Sequence, residues 1–193
     1  MKARYATVLY HVSPAPGIRV LRPGVSSHGK AYVYAIDNMT TALLFGAPHD
    51  DFDLMLDADE AGRPEIHECY PDAFRTVYQG RRCSLYEVDE TPFRRGVTGW
   101  EPELVCETEV SVLRETPVED LYALLQEREA QGELLVLRYR DEPDYKRRVA
   151  EHVVDRLIRF DLLERFETAD PRGQRYYGGI VSALRSVMDG HLL

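Results

Sequence analysis

A chain of 193 residues is long enough for one full-sized domain, or for a domain with a small appendage, and too short for two ordinary ones. With 44% hydrophobic and 30% charged residues it reads as a globular chain, not a disordered one, and its net charge of −9 argues against broad binding to phosphate backbones, which takes clustered Lys and Arg. Three widely spaced cysteines, Cys69, Cys83 and Cys106, suit neither a disulfide framework nor a Cys-x-x-Cys zinc site, and no run is apolar enough for a membrane span or a signal core, which points to a reducing cytoplasm.

Residues 6–12 alternate as a half-buried strand, with Thr7, Leu9, His11 and Ser13 on one face and Ala6, Val8, Tyr10 and Val12 on the other. Pro14, Pro16 and Gly17 break the strand, residues 18–21 are a short apolar return, and Pro23-Gly24 turns the chain again. After a polar loop at 26–29, residues 31–36 predict a second strand, on which Tyr32 and Tyr34 share a face because the side-chain period is two. Asp37 or Asn38 caps a short helix over 39–45, which Gly46 and Pro48 close. Residues 52–56 and 66–69 flank Ala61-Gly62 as a β-hairpin. Pro71 then opens a short helix to about residue 78, Gly80 stops it, and residues 83–88 resume strand alternation.

Beyond a Pro-, Gly- and Arg-rich loop over 91–99, residues 104–113 give the cleanest alternation in the chain and predict one strand, with Glu107 and Glu109 on one face. Thr116-Pro117-Val118-Glu119 has the form of a capping box with Pro at the first helical position, which predicts a helix over 117–130. Residues 134–139 predict a strand. Val149, Val153, Leu157 and Phe160 recur at helical spacing within 143–160, and residues 180–188 predict a last helix. The expected class is α+β, with a first domain over 1–140 and a C-terminal helical extension over 141–193. Asp57, Asp59, Gly62 and Glu68 match part of a calcium-loop spacing, but Ala61 stands where Asp or Asn is needed and the flanks read as strands, so a solvated hairpin is the better reading. Cys106 falls on the apolar face of its strand and reads as a buried, inert thiol.

Four blocks stand in a telling order: Leu9-Tyr10-His11-Val12-Ser13 with Gly17-Ile18 behind it, Gly29-Lys30-Ala31-Tyr32-Val33-Tyr34-Ala35, Thr41-Ala42-Leu43, and the later Glu-bearing strand. In these the chain resembles the ADP-ribosyltransferase fold of diphtheria toxin and the poly(ADP-ribose) polymerases, over roughly residues 5–125. The resemblance implies split antiparallel β-sheets with short helices, NAD as the substrate, no metal, and a His, Tyr, Glu triad on three strands. His11 would then hydrogen-bond a ribose hydroxyl, with Val12 and Ser13 completing that edge of the NAD site. Tyr32 or Tyr34 would stack on the nicotinamide, and Glu109 or Glu107 would act on the reacting ribose. Val12 stands where family members commonly carry a Gly whose backbone contacts the nicotinamide amide.

The physics suits these residue types. Cleaving the nicotinamide bond builds positive charge on the ribose, so a carboxylate fixed beside it favours the transition state over the ground state. Two carboxylates as close as Glu107 and Glu109 are expected to raise one another's pKa by like-charge repulsion. Singly, each residue has a plainer role: a strand-end His, paired strand tyrosines, glutamates on a solvated face. Their order carries the implied activity, NAD-dependent mono-ADP-ribosylation of a protein or nucleic-acid acceptor, with NAD hydrolysis as a side or main reaction. The alternatives are NAD-dependent removal of a 2′-phosphate from RNA, which would call on Arg4, Arg19 and Arg22, and a non-catalytic module holding a nucleotide or a partner.

Overall fold

The computed structural model describes residues 7–25, 29–49, 53–159 and 189; the helix expected over 180–188 lies outside them. In chain order the elements are β1 (Val8–Ser13), β2 (Val20–Leu21), β3 (Gly24–Val25), β4 (Ala31–Ile36) and α1 (Met39–Leu43), the last continued by a 3-10 turn (Leu44–Gly46). There follow β5 (Leu54–Ala58), β6 (Pro64–Glu68), α2 (Ala73–Tyr78), β7 (Cys83–Asp89), β8 (Arg94–Arg95) and β9 (Glu103–Cys106). The remaining described elements are β10 (Val110–Val118), α3 (Leu121–Ala130), β11 (Leu135–Leu137) and α4 (Pro143–Arg159). This is the α+β class expected, antiparallel except where β11 joins β6.

Two compact units divide the chain, Met1–Pro48 with Tyr78–Glu133 and His49–Val77 with Leu134–Leu193. The division interleaves along the sequence.

In the first unit the strand order is β2-β10-β7-β1-β4-β9-β8, with β3 beside β4. β1 and β7 share six facing pairs, from Val8 opposite Asp89 to Ser13 opposite Ser84. β1 and β4 share one, Tyr10 opposite Ile36, so the sheet parts between them as soon as it is joined. Facing residues project to the same side. One side carries the apolar cluster of Leu9, Val33, Ala35, Val88, Leu104, Cys106 and Val110, joined by Leu21 and Phe93. The other side receives the 3-10 turn and α3: a Cβ on Gly46 would lie 2.9 Å from both Cys83 Sγ and Leu121 Cδ2, so the turn can sit this close only with glycine there. Asn38 caps α1, its Oδ1 accepting the Thr41 N–H at 2.9 Å.

Two expectations are corrected in this unit. Residues 104–113 are not one strand: β9 ends at Cys106 and pairs with β4, whereas β10 begins at Val110 and pairs with β7 and β2. Glu107, Thr108 and Glu109 form the turn between the two halves of the sheet, with Cys106 Sγ 3.5 Å from the Thr108 carbonyl. Cys106 and Val110 both face the same cluster, so the alternation runs through the turn without a break. Nor does a helix begin at Pro117. That residue faces Ser84 on a stretch of β10 with no second described neighbour, where proline is tolerated. α3 begins after Asp120, whose Oδ1 accepts the Ala123 N–H at 3.0 Å.

In the second unit β5 and β6 form the expected hairpin. Asp59 serves its turn: Oδ1 accepts the amides of Ala61 at 3.0 Å and Arg63 at 2.9 Å, and Oδ2 takes the Arg63 guanidinium at 2.9 Å. Glu68, 3% exposed, takes the Phe74 N–H at 3.0 Å on one oxygen and the Tyr139 N–H at 2.9 Å on the other, so its carboxylate caps backbone. α4 buries Val149, Ala150, Val153 and Val154. Among the described residues no helix is long and apolar enough to cross a membrane.

If Asp120 caps α3, Asp120→Ala lowers stability in urea unfolding by about 1 kcal/mol, whereas Thr116→Ala stays within about 0.5 kcal/mol. The reverse ranking would restore the cap to Thr116.

Candidate functional site

The site is built where β1 and β4 part. Past the Tyr10–Ile36 pair the carbonyl of Tyr34 is met by the ring of His11, whose Nδ1 lies 2.8 Å away. A carbonyl only accepts, so Nδ1 carries the proton and Nε2 of the neutral ring is left as an acceptor. Burial holds the His11 pKa below its ordinary 6.5, against the smaller upward pull of the hydrogen bond to Tyr34. The imidazole is therefore neutral near pH 7, in one tautomer.

The remaining residues expected at the site are not gathered around His11 as a triad. Tyr32 and Tyr34 share a face, their rings edge to face with centroids 5.9 Å apart. The register puts that face on the side of Tyr10 and Val12, opposite to the side from which the His11 ring leaves β1. His11 therefore meets Tyr34 through its carbonyl. Tyr32 is buried and packs under Lys30, whose Nζ stands 5.4 Å from the ring centroid; Tyr34 is half-buried. Val12 turns away from His11, toward Gly46, where a Cβ would come within 3.3 Å of Val12 Cγ1. Ser13 Oγ accepts the Ala15 N–H at 3.2 Å and holds the turn that follows the strand.

Glu107 and Glu109 are corrected more sharply. Both lie in the turn between β9 and β10, not on a strand face. Glu107 is paired with Lys30 at 3.1 Å and with Arg94. Lys30 chiefly, with Arg94 adding, holds its carboxyl below the usual range, so cations and not a neighbouring carboxylate govern it. Glu109 is paired with Arg22 at 3.0 Å.

Three residues at or near the parting were not singled out by pattern. Glu103 opens β9 opposite Ile36, the residue that also faces Tyr10, so a carboxylate, the end of β4 and the parting share one row of the sheet. It shares its face with Tyr34, one diagonal step of about 7–8 Å away. On the opposite face Tyr86 stands opposite His11, and Glu115 opposite Tyr86. Rings of His11 and Tyr86 are 6.3 Å apart. Tyr86 lies within the strand expected over 83–88, and Glu115 directly before the cap expected at Thr116. Only the strand pairing reveals the row.

Comparison with protein-family models, curated proteins and solved structures finds no match for this chain. The chemistry available is that of the geometry: a fixed neutral imidazole acceptor, a half-exposed tyrosine and a strand-borne glutamate around one parting in a sheet.

Titrated by 15N-detected NMR, His11 is expected as the Nδ1–H tautomer with a midpoint below 6.5. A histidine whose folded pKa is depressed is fully accommodated above its unfolded value, and stability is lost as pH falls from about 6.5 through the folded pKa. A midpoint above 6.5, or an Nε2–H ring, would mean that the Tyr34 contact does not set the tautomer.

Proposed function

We propose that the chain uses NAD as a substrate and transfers its ADP-ribose portion to a macromolecular acceptor, protein or nucleic acid, with water as a competing acceptor. The observation that carries this reading is His11 at the parting of β1 and β4, its tautomer set by the Tyr34 carbonyl so that Nε2 awaits a hydroxyl donor such as that of a ribose. The antiparallel sheet that parts at this point agrees with the fold to which the sequence blocks point.

In the reaction the bond from ribose C1′ to nicotinamide breaks, and its electron pair leaves with the nicotinamide. Positive charge gathers on the ribose until the acceptor donates a pair and releases its proton. A ligand lying across the end of the parting would meet His11 from one side and Tyr34 with Glu103 from the other. Tyr34, the less buried of the two, suits stacking on the flat nicotinamide better than buried Tyr32 does. Glu103 is the glutamate whose strand position suits the charged ribose, since a preorganised carboxylate gains most where charge develops. A phosphate-directed reading has less support, because Arg22 is already paired with Glu109.

Incubated with NAD, the protein should release nicotinamide. Glu103→Gln should lower that rate about 10²- to 10³-fold with NAD still bound, whereas Glu107→Gln and Glu109→Gln should stay within about threefold of the parent. Binding without release would leave the non-catalytic module. Neither binding by calorimetry at millimolar NAD nor release would sink the reading.

A further inference from the structure

On the apolar-cluster side of the sheet the row His11, Tyr86, Glu115 crosses β1, β7 and β10, so its ends are about 10 Å apart, two strand spacings. Glu115 reaches this row only through an irregularity. Earlier in β10, Val112 faces Val88. A regular ladder would continue with Arg114 opposite Tyr86 and Glu115 opposite Leu85, which would aim the carboxylate at the other side of the sheet. Instead the register shifts between Val112 and Arg114, so that Arg114 faces Glu87 and Glu115 faces Tyr86. The extra residue, Leu113, is 58% exposed and gains little from burial there. What the bulge achieves is the direction of Glu115, a recurrent use of bulges beside functional sites.

Glu115 Oε1 accepts the Gly17 N–H at 2.9 Å and the Ser84 hydroxyl at 2.7 Å, and the Tyr86 hydroxyl, whose one proton it shares with the Ala15 carbonyl, lies 3.2 Å away. These, led by the Gly17 amide, hold its carboxyl below the usual range. The fully buried Tyr86 directs its one proton mainly to the Ala15 carbonyl, at 2.6 Å, and accepts the Ile18 N–H at 3.3 Å. Between residues 14 and 18 two positions are proline and have no N–H. The three amides that remain, of Ala15, Gly17 and Ile18, all go to side-chain oxygens of Ser13, Glu115 and Tyr86. A segment that leaves β1 two residues after His11 is thus fixed by side chains and not by a ladder.

We propose that Glu115 is a positioning residue, which latches the 14–18 segment against the sheet so that this segment forms a fixed wall beside His11 for the ribose-bearing part of NAD. The identity of the ligand rests on the NAD reading above; the latch rests on its own geometry.

The test compares the parent with Glu115→Ala and Glu115→Gln by hydrogen exchange of the 13–19 segment, NAD affinity by calorimetry, and the rate of nicotinamide release. Glu115→Ala should speed exchange at Gly17 and Ile18 and raise KM and Kd for NAD about tenfold, with kcat within about threefold. Glu115→Gln keeps an acceptor oxygen and should recover most of both losses. Ser84→Ala, which removes one donor and leaves the rest, should give the same pattern to a smaller degree and serves if Glu115→Ala does not fold. Unchanged exchange in Glu115→Ala overturns the latch, and a fall in kcat as large as the rise in KM overturns a positioning role. Faster exchange in a protein whose parent binds no NAD upholds the latch and removes the NAD reading.

Discussion

Parting two neighbouring strands inside a sheet leaves backbone groups without their ladder partners, and a buried group so stranded costs about 1–3 kcal/mol. Here the first such group beyond the Tyr10–Ile36 pair is the carbonyl of Tyr34, and the His11 ring fills it. The repair has a chemical consequence. Because the partner can only accept, the ring must place its proton on Nδ1, and burial keeps it neutral, so Nε2 stays available as an acceptor. Lysine or arginine could also satisfy the carbonyl, but each would bring a charge and no acceptor. The contact that allows the sheet to open is therefore the one that prepares the imidazole.

The carboxylates around this parting are separated by what holds them. In the proposed reaction a charge would help a positively charged ribose in proportion to the field it delivers there, and a carboxylate already met by two cations delivers little. Glu107, between Lys30 and Arg94, is of that kind. Glu115 is held by neutral donors and keeps its charge, but the Gly17 amide ties it to the 14–18 segment and the Ser84 hydroxyl to β7. Glu103 differs from both in its place: it begins the strand that adjoins β4 in the row where β1 and β4 part.

Local periodicity made much of the frame legible. β1, β4, the β5–β6 hairpin, α1 with its Asn38 cap and the buried stripe of α4 each follow from side-chain spacing and capping chemistry within a few residues. The misreadings arose where the deciding fact was the partner strand. Cys106 and Val110, four apart, face one cluster from different halves of the sheet, so alternation could not reveal that residues 107–109 turn between them. The bulge at Leu113 has no signature in composition, and it decides which side Glu115 faces. Thr116-Pro117 imitates a helix start because its chemistry is that of a cap, while pairing with β7 keeps it extended. Likewise, that His11 and the tyrosine rings leave opposite sides of the sheet follows from the register of β1 with β4, not from either strand alone.

Val12 is the departure from the resembled family that bears most directly on an open site, since a β-branched side chain beside the histidine would crowd a ligand if it shared the histidine's face. Alternation forbids that: consecutive residues of a strand project to opposite sides. The side chain of Val12 goes instead to the side covered by the 3-10 turn after α1, and the room it needs there is supplied by the missing side chain of Gly46. The two positions compensate, with the small residue moved from the strand to the turn that packs on it. What the His11 side retains at Val12 is backbone alone. A valine at that position therefore leaves the His11 side of the strand as open as a glycine would, provided that position 46 stays without a Cβ.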